Sequence, residues 1–223
     1  MVTLPHAASP RSDRRRLRTR AALVRAGQAL FATRSVDAVS VDDIVVAAEV
    51  AKGSFYNHFT DKDALAREVA VTVRAKAEAE VDLANATVVD PAERVARALA
   101  VFVRFALADP ERSRAMMRLF AGATLPDAPM NRGVRRDIEA GLAAGRFRDL
   151  TVETGVVLTM GVVHIAITRV LDEAASEAAP AADPPVLARG LALGLLRGLG
   201  LPAPEAKALA DRAADNIFTE TRP

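Results

Sequence analysis

Residues 40–63 read Ser40-Val41-Asp42-Asp43-Ile44-Val45-Val46-Ala47-Ala48-Glu49-Val50-Ala51-Lys52-Gly53-Ser54-Phe55-Tyr56-Asn57-His58-Phe59-Thr60-Asp61-Lys62-Asp63. Ser40 with an acid three places on has the form of a capping box, and Asp42 and Asp43 suit the positive end of a helix dipole. A short helix is expected over 41–48, a break over 49–51, and a second short helix over 52–59. Thr60 with Asp63 repeats the box and opens a longer helix to about residue 83. Two short helices joined by a three-residue turn have the proportions of a helix-turn-helix. Ile44, Val45, Ala48, Val50, Phe55 and Phe59 can face one core. That leaves Lys52, Ser54, Tyr56, Asn57 and His58 on the surface, a set of donors suited to phosphates and base edges. Gly53 keeps the backbone close to whatever is bound.

Upstream, Leu17, Ala21, Leu23, Val24, Ala26, Leu30 and Phe31 recur at helical spacing, so a first helix over 14–34 braces the pair from behind. Arg11, Arg14, Arg15, Arg16, Arg18 and Arg20 crowd ten positions with only Asp13 opposing them. Residues 1–13 are expected as a disordered basic arm. Two readings of the cluster stand side by side, a neutraliser of phosphates and a solvated tail. The net charge of +2 conceals this asymmetry, because residues 1–62 hold ten Lys/Arg against six Asp/Glu.

Downstream, Asp90-Pro91 and Asp109-Pro110 each place an N-cap before a proline at the first helical position. Helices are expected over about 91–108, 110–122 and 131–145, the last stopped by Gly145. Thr151 opens an apolar helix, residues 172–185 form an Ala/Pro connection, and two helices follow at about 185–199 and 204–219. The fold class is all-α.

A chain of 223 residues with 51% hydrophobic and 4% aromatic residues can bury a core without crosslinks. Zero Cys excludes thiolate chemistry, and His6, His58 and His164 are too scattered for a metal cage, so no metal, no cofactor and no catalytic residues are expected. No Ser/His/Asp set, HExxH or phosphate loop occurs, which argues against an enzyme. The longest apolar run, 155–168, is shorter than the ~20 residues a membrane span needs. No apolar stretch follows the N-terminal arginines, so a cytoplasmic protein is expected.

Leu30-Phe31-Ala32, Ser40-Val41-Asp42-Asp43-Ile44, Lys52-Gly53-Ser54-Phe55-Tyr56-Asn57-His58-Phe59 and Asp61-Lys62-Asp63-Ala64-Leu65 resemble the DNA-binding domain of the TetR family of transcriptional repressors. The resemblance covers about residues 14–68, and the order of about ten helices is similar to that family throughout. It implies a homodimer with a three-helix DNA-binding head, 14–62, and a helical body for ligand binding and dimerisation, 63–223. Two positions depart from the pattern: Glu49 stands where the turn usually has Gly, and Ala51 where the second helix usually has a capping Ser.

Since the second helix of such a unit enters the major groove, Lys52, Gly53, Ser54, Tyr56, Asn57 and His58 are the expected DNA contacts, with Tyr56 and His58 assigned to phosphate. Lys62 is expected on a phosphate at the start of the next helix, and Arg14, Arg16 and Arg18 on the flanking backbone. Phe102, Phe105, Met116, Phe120, Met160 and His164 are candidate lining for an apolar effector pocket, although the same residues describe an ordinary core. Gly190, Gly194 and Gly198 recur every four residues beside Leu191 and Leu195. This stripe reads as the dimer seam, implied by the resemblance, or as packing within the chain. The function so implied is sequence-specific DNA binding released by a small apolar effector through movement of the long helix whose first turn holds Lys62. The alternative is a non-specific architectural DNA binder without an effector.

Overall fold

The computed structural model describes residues 10–119, 131–176 and 183–219, which form ten α-helices and no strand. The first three are α1 (Pro10–Thr33), α2 (Val41–Ala47) and α3 (Lys52–Tyr56). They enclose Leu23, Phe31, Val39, Ile44, Val45, Phe55 and Phe59. The Ser40 hydroxyl accepts from the Asp43 amide at 3.0 Å and the Asp43 carboxylate accepts from the Ser40 amide at 2.9 Å, the reciprocal box that fixes the start of α2.

The body begins with α4 (Lys62–Ala84), which runs out of the head, and is organised around α5 (Pro91–Ala108). Ten of the eighteen residues of α5 are buried, and it packs against α4, α6 (Pro110–Leu119), α7 (Arg132–Ala143), α8 (Val152–Ala175), α9 (Pro184–Gly198) and α10 (Ala203–Thr219). Asp90 caps α5 through the Ala92 amide at 3.0 Å, with Pro91 at its first turn. Arg146 ties this corner together, pairing with Asp90 at 2.7 Å and Glu205 at 2.5 Å.

Several expectations need correction. α1 already begins at Pro10, so 10–13 are helix rather than loose arm. The N-cap of α4 is Asp61, whose carboxylate accepts from the Ala64 amide at 2.6 Å, while the Thr60 hydroxyl only donates to Asp61. α3 stops at Tyr56, short of His58. α8 extends through Asp172 to Ala175, so by length and composition it is apolar enough to cross a membrane, but half of that stretch is buried inside the protein.

Candidate DNA-binding face and body cavity

The turn between α2 and α3 is a Schellman stop: the Glu49 amide bonds the Val46 carbonyl at 3.1 Å and the Val50 amide bonds Val45 at 3.0 Å. Glu49 takes the left-handed residue of that motif, φ 54°. Ala51 then starts α3 with no side-chain cap. Each departure costs about 1 kcal/mol.

With Phe55 buried, Lys52, Gly53, Tyr56 and Asn57 are exposed and Ser54 and His58 half-buried. Lys52 Nζ lies 2.8 Å from the Asp42 carboxylate, which raises its pKa. A Cβ on Gly53 would meet nothing within 4 Å, so the head's own packing does not require glycine there.

Arg16 and Arg20 of α1 lie beside His58, just past the end of α3. Arg14, Arg16 and Arg18 are exposed and make no ion pair with a described residue. Arg20 instead serves the fold, pairing with Glu68 at 2.9 Å and covering the Phe59 ring at 4.7 Å. Partial burial, then the charges of Arg16 and Arg20, push the His58 pKa below its ordinary value. His58 therefore favours its neutral form, a donor or acceptor, more than an ordinary histidine does. Lys62 also departs from expectation: its Nζ donates to the carbonyls of Asp37 at 3.1 Å and Val39 at 3.2 Å. Two of its three donors thus hold the α1–α2 connection, because the chain folds back over the start of α4.

In the body, a cavity of about 360 Å³ opens between α4, α5, α7 and α8. Val81, Val95, Ala98, Phe102, Val134, Met160 and Val163 form its apolar walls, Thr159 and Gly133 complete them, and Arg74, Glu78, Asp82, Arg94, Arg132, Arg136 and Asp137 supply charge. Arg74 bonds Glu78 at 2.7 Å and lies 5.3 Å from the Phe102 ring centre. Arg94 bonds Asp137 at 2.8 Å and also donates to the carbonyls of Asn85 and Val88, clamping the α4–α5 loop. No cluster of metal-ligating side chains occurs among the described residues.

Residues 23–69 match the family model of bacterial regulatory proteins of the tetR family, and residues 90–212, more than half of the chain, match that of the tetracyclin repressor-like C-terminal domain. The chain belongs to the TetR family. It is 49% identical over 47 residues to the HTH-type transcriptional repressor DhaR of Mycobacterium sp. (strain GP1), an alignment covering 21% of this chain and 24% of that protein. The chain thus spans about a quarter of that curated relative. Its fold is similar to that of RolR in complex with resorcinol, at 28% identity over 90% of this chain and 96% of that one, with a TM-score of 0.59. CprB from S. coelicolor A3(2) has the same fold at 22% identity over 93% of this chain and all of that one, TM-score 0.65. This TetR-family chain is a DNA-binding transcriptional regulator and not an enzyme.

Of the pocket residues expected in this regulator, Phe102 and Met160 line the cavity. Phe105 and Met116 do not; they are buried in the core between helices. His164 is exposed on the outside of α8, because about 100° per residue carries it past the Val156, Met160, Val163, Ile167 stripe. Phe120 lies outside the described residues. The apolar character expected of the pocket is also corrected by its seven ionisable side chains. Asp137 could have been found, since it falls on the same face of α7 as Val134, Ile138 and the buried Gly141, where an acid needs a partner.

On α9 the regulator leaves Gly190 and Gly194 exposed with nothing within 4 Å of a would-be Cβ, and Leu191 half-buried. Gly198 is exposed too, but a Cβ there would come 2.9 Å from Leu158 of α8. Leu195 is turned inward with Ala188, Ala192 and Leu199, one residue round from Gly194, and so belongs to the chain's own core. Val157 and Ile165 of α8 and Val186 of α9 are also exposed apolar side chains.

Proposed function

We propose that this chain is a repressor that binds a two-fold symmetric DNA operator as a homodimer in the cytoplasm and leaves it when a small molecule fills the body cavity. Lys52, Gly53, Ser54 and Asn57 read the major groove, with Tyr56 and His58 at its phosphate edge. Arg14, Arg16 and Arg18 hold the flanking backbone without reading sequence. Lys62 positions the head instead of gripping DNA. Residues 14–62 form the head and 63–223 the body, and the dimer closes on the uncovered Gly190, Gly194 face of α9 with the outer face of α8.

The observation that carries this reading is that the two candidate sites share a helix. α4 walls the cavity with Arg74, Glu78 and Asp82 and, twelve residues earlier, anchors the head through Lys62. A second tie runs through α6, where Gln28 of α1 donates to Glu111 at 3.2 Å and accepts from Arg112 at 3.3 Å, and Arg118 donates to the Ala32 carbonyl at 3.2 Å. An effector that wedges α4 from α5 or α7 thereby changes how the head is held. A 100-fold loss of DNA affinity needs only ~2.7 kcal/mol of such coupling. RolR carries resorcinol in a chain of the same fold, which supports a small-molecule effector here.

The test is to measure affinity for a duplex selected by the protein, with and without a small molecule that binds the body. At least tenfold weaker DNA binding in its presence, and the same factor lost from effector affinity on the DNA-bound protein, is expected. Equal affinities in both directions reject the coupling. The exposed arginines of α1 favour a second reading, a non-specific DNA binder, which predicts a salt-dependent affinity indifferent to sequence.

A further inference from the structure

The cavity is polarised. On its α4 wall Asp82 is exposed and acidic, while Glu78 is neutralised by Arg74 at 2.7 Å. Its α7 wall carries Arg132 and Arg136 at a spacing of four, one above the other on the same face. Arg136 and Arg94 both bond Asp137, at 3.5 and 2.8 Å, whereas Arg132 makes no ion pair with any described residue. Between these arginines Gly133 leaves room, since a Cβ there would touch nothing within 4 Å. Phe102, Met160 and Val163 close the cavity with apolar surface.

We propose that the effector is a small monoanionic amphiphile, a carboxylate on a compact apolar body, with its carboxylate against Arg132 on α7 and its body against Phe102 and Met160. This rests on reading the cavity as the effector site. The charges support the orientation. Inside the cavity the acids Glu78 and Asp137 are already held by arginines, so a carboxylate placed toward α7 supplies the partner that Arg132 lacks. The same carboxylate turned toward α4 meets Asp82. A neutral ligand of the same shape leaves Arg132 unpaired, and an amine is repelled by it. Four arginines against three acids around a space of about 360 Å³ leave one positive charge, matched by one carboxylate and not by two.

The experiment is calorimetric titration of the full chain with matched carboxylates and primary amides: 3-phenylpropionate, cyclohexylacetate and 1-naphthylacetate, each against its amide. The expected result is at least tenfold tighter binding of the carboxylate in one or more pairs, with the preference falling below threefold in Arg132→Gln, whose side chain is exposed and whose replacement leaves the fold intact. Ala98→Phe, which fills the cavity from α5, should abolish both. Amides that bind as well as their carboxylates overturn the charge assignment while leaving the cavity as the effector site. Binding that survives Ala98→Phe in a folded protein, or the failure of every pair to bind, overturns the cavity itself.

Discussion

Three helices of this protein stop by the same hydrogen-bonding device, and they differ in the residue placed at its left-handed position. α7 ends with the Gly145 amide on Leu142 and the Arg146 amide on Gly141, and α9 with the Gly200 amide on Arg197 and the Leu201 amide on Leu196. Gly145 and Gly200 have φ of 66° and 95°, as that position favours. At Gly200 a side chain is excluded twice over, because a Cβ would also lie 2.9 Å from the Arg148 backbone. α2 makes the same stop with Glu49, and the five-residue α3 that follows has no side-chain cap. The body is thus anchored at its corners, while the head carries its strain beside the surface assigned to DNA. Of the three stops, the one that leads into α3 alone lacks glycine at the left-handed position.

That contrast can be broken or sharpened by substitution. The largest effect is expected in the body: Phe105→Ala, at the buried side of α5, should lower unfolding free energy by about 3–5 kcal/mol, read by urea denaturation. A loss under 1 kcal/mol would mean the body is looser than the head. On the head, Lys52→Ala or Asn57→Ala should cost about 1–3 kcal/mol on the selected duplex and alter the preference among sequences. Replacing Arg14, Arg16 and Arg18 together by Ala should weaken binding to every duplex alike and flatten its salt dependence. Equal losses on selected and scrambled DNA for both sets would end that division of labour. Next come Glu49→Gly and Ala51→Ser, each expected to stabilise the chain by about 1 kcal/mol. Glu49→Gly should also tighten DNA binding, having removed a negative charge from the turn, and a neutral or destabilising result would show that the turn is not strained.

The smallest effect concerns the Arg146 corner. Burial raises the Asp90 pKa, but hydrogen bonds from Arg146 and the Ala92 amide and the charges of Arg146 and Arg212 outweigh it and hold the carboxyl below its usual range. The stability this contributes is complete above the unfolded value of about 4 and is lost as pH falls through the lower folded one. Arg146→Ala should cost about 1 kcal/mol or less at pH 7 because the pair is partly exposed. The gap to the unsubstituted protein should close as pH falls below about 4, through the depressed folded value. A gap independent of pH would mean the side chain acts by packing alone.

How legible each region was in sequence follows the same division. Head features obey local rules: Ser40 with Asp43 names a capping box, and the run from Lys52 to Phe59 separates buried from exposed positions within two turns. Gly145 and Asp90-Pro91 in the body were legible for that reason too. Local rules fail where two neighbours compete, as Thr60 and Asp61 do for the cap of α4. They fail more widely where tertiary packing decides. His164 lies near a stripe edge that only the packing of α8 resolves, and Leu195 faces inward because α9 turns its other side to solvent. The cavity's seven charged side chains come from three helices, α4, α5 and α7, and no spacing along the chain brings them together.

Selection of bound sequences from a random duplex pool tests the central claim most directly, that an exposed polar face on a strained head reads DNA sequence as a pair. The expected product is a two-fold symmetric motif whose half-site centres lie about 34 Å apart, or a multiple of it, bound by two chains. Enrichment of no sequence, or of a lone half-site held by one chain at saturation, would contradict it.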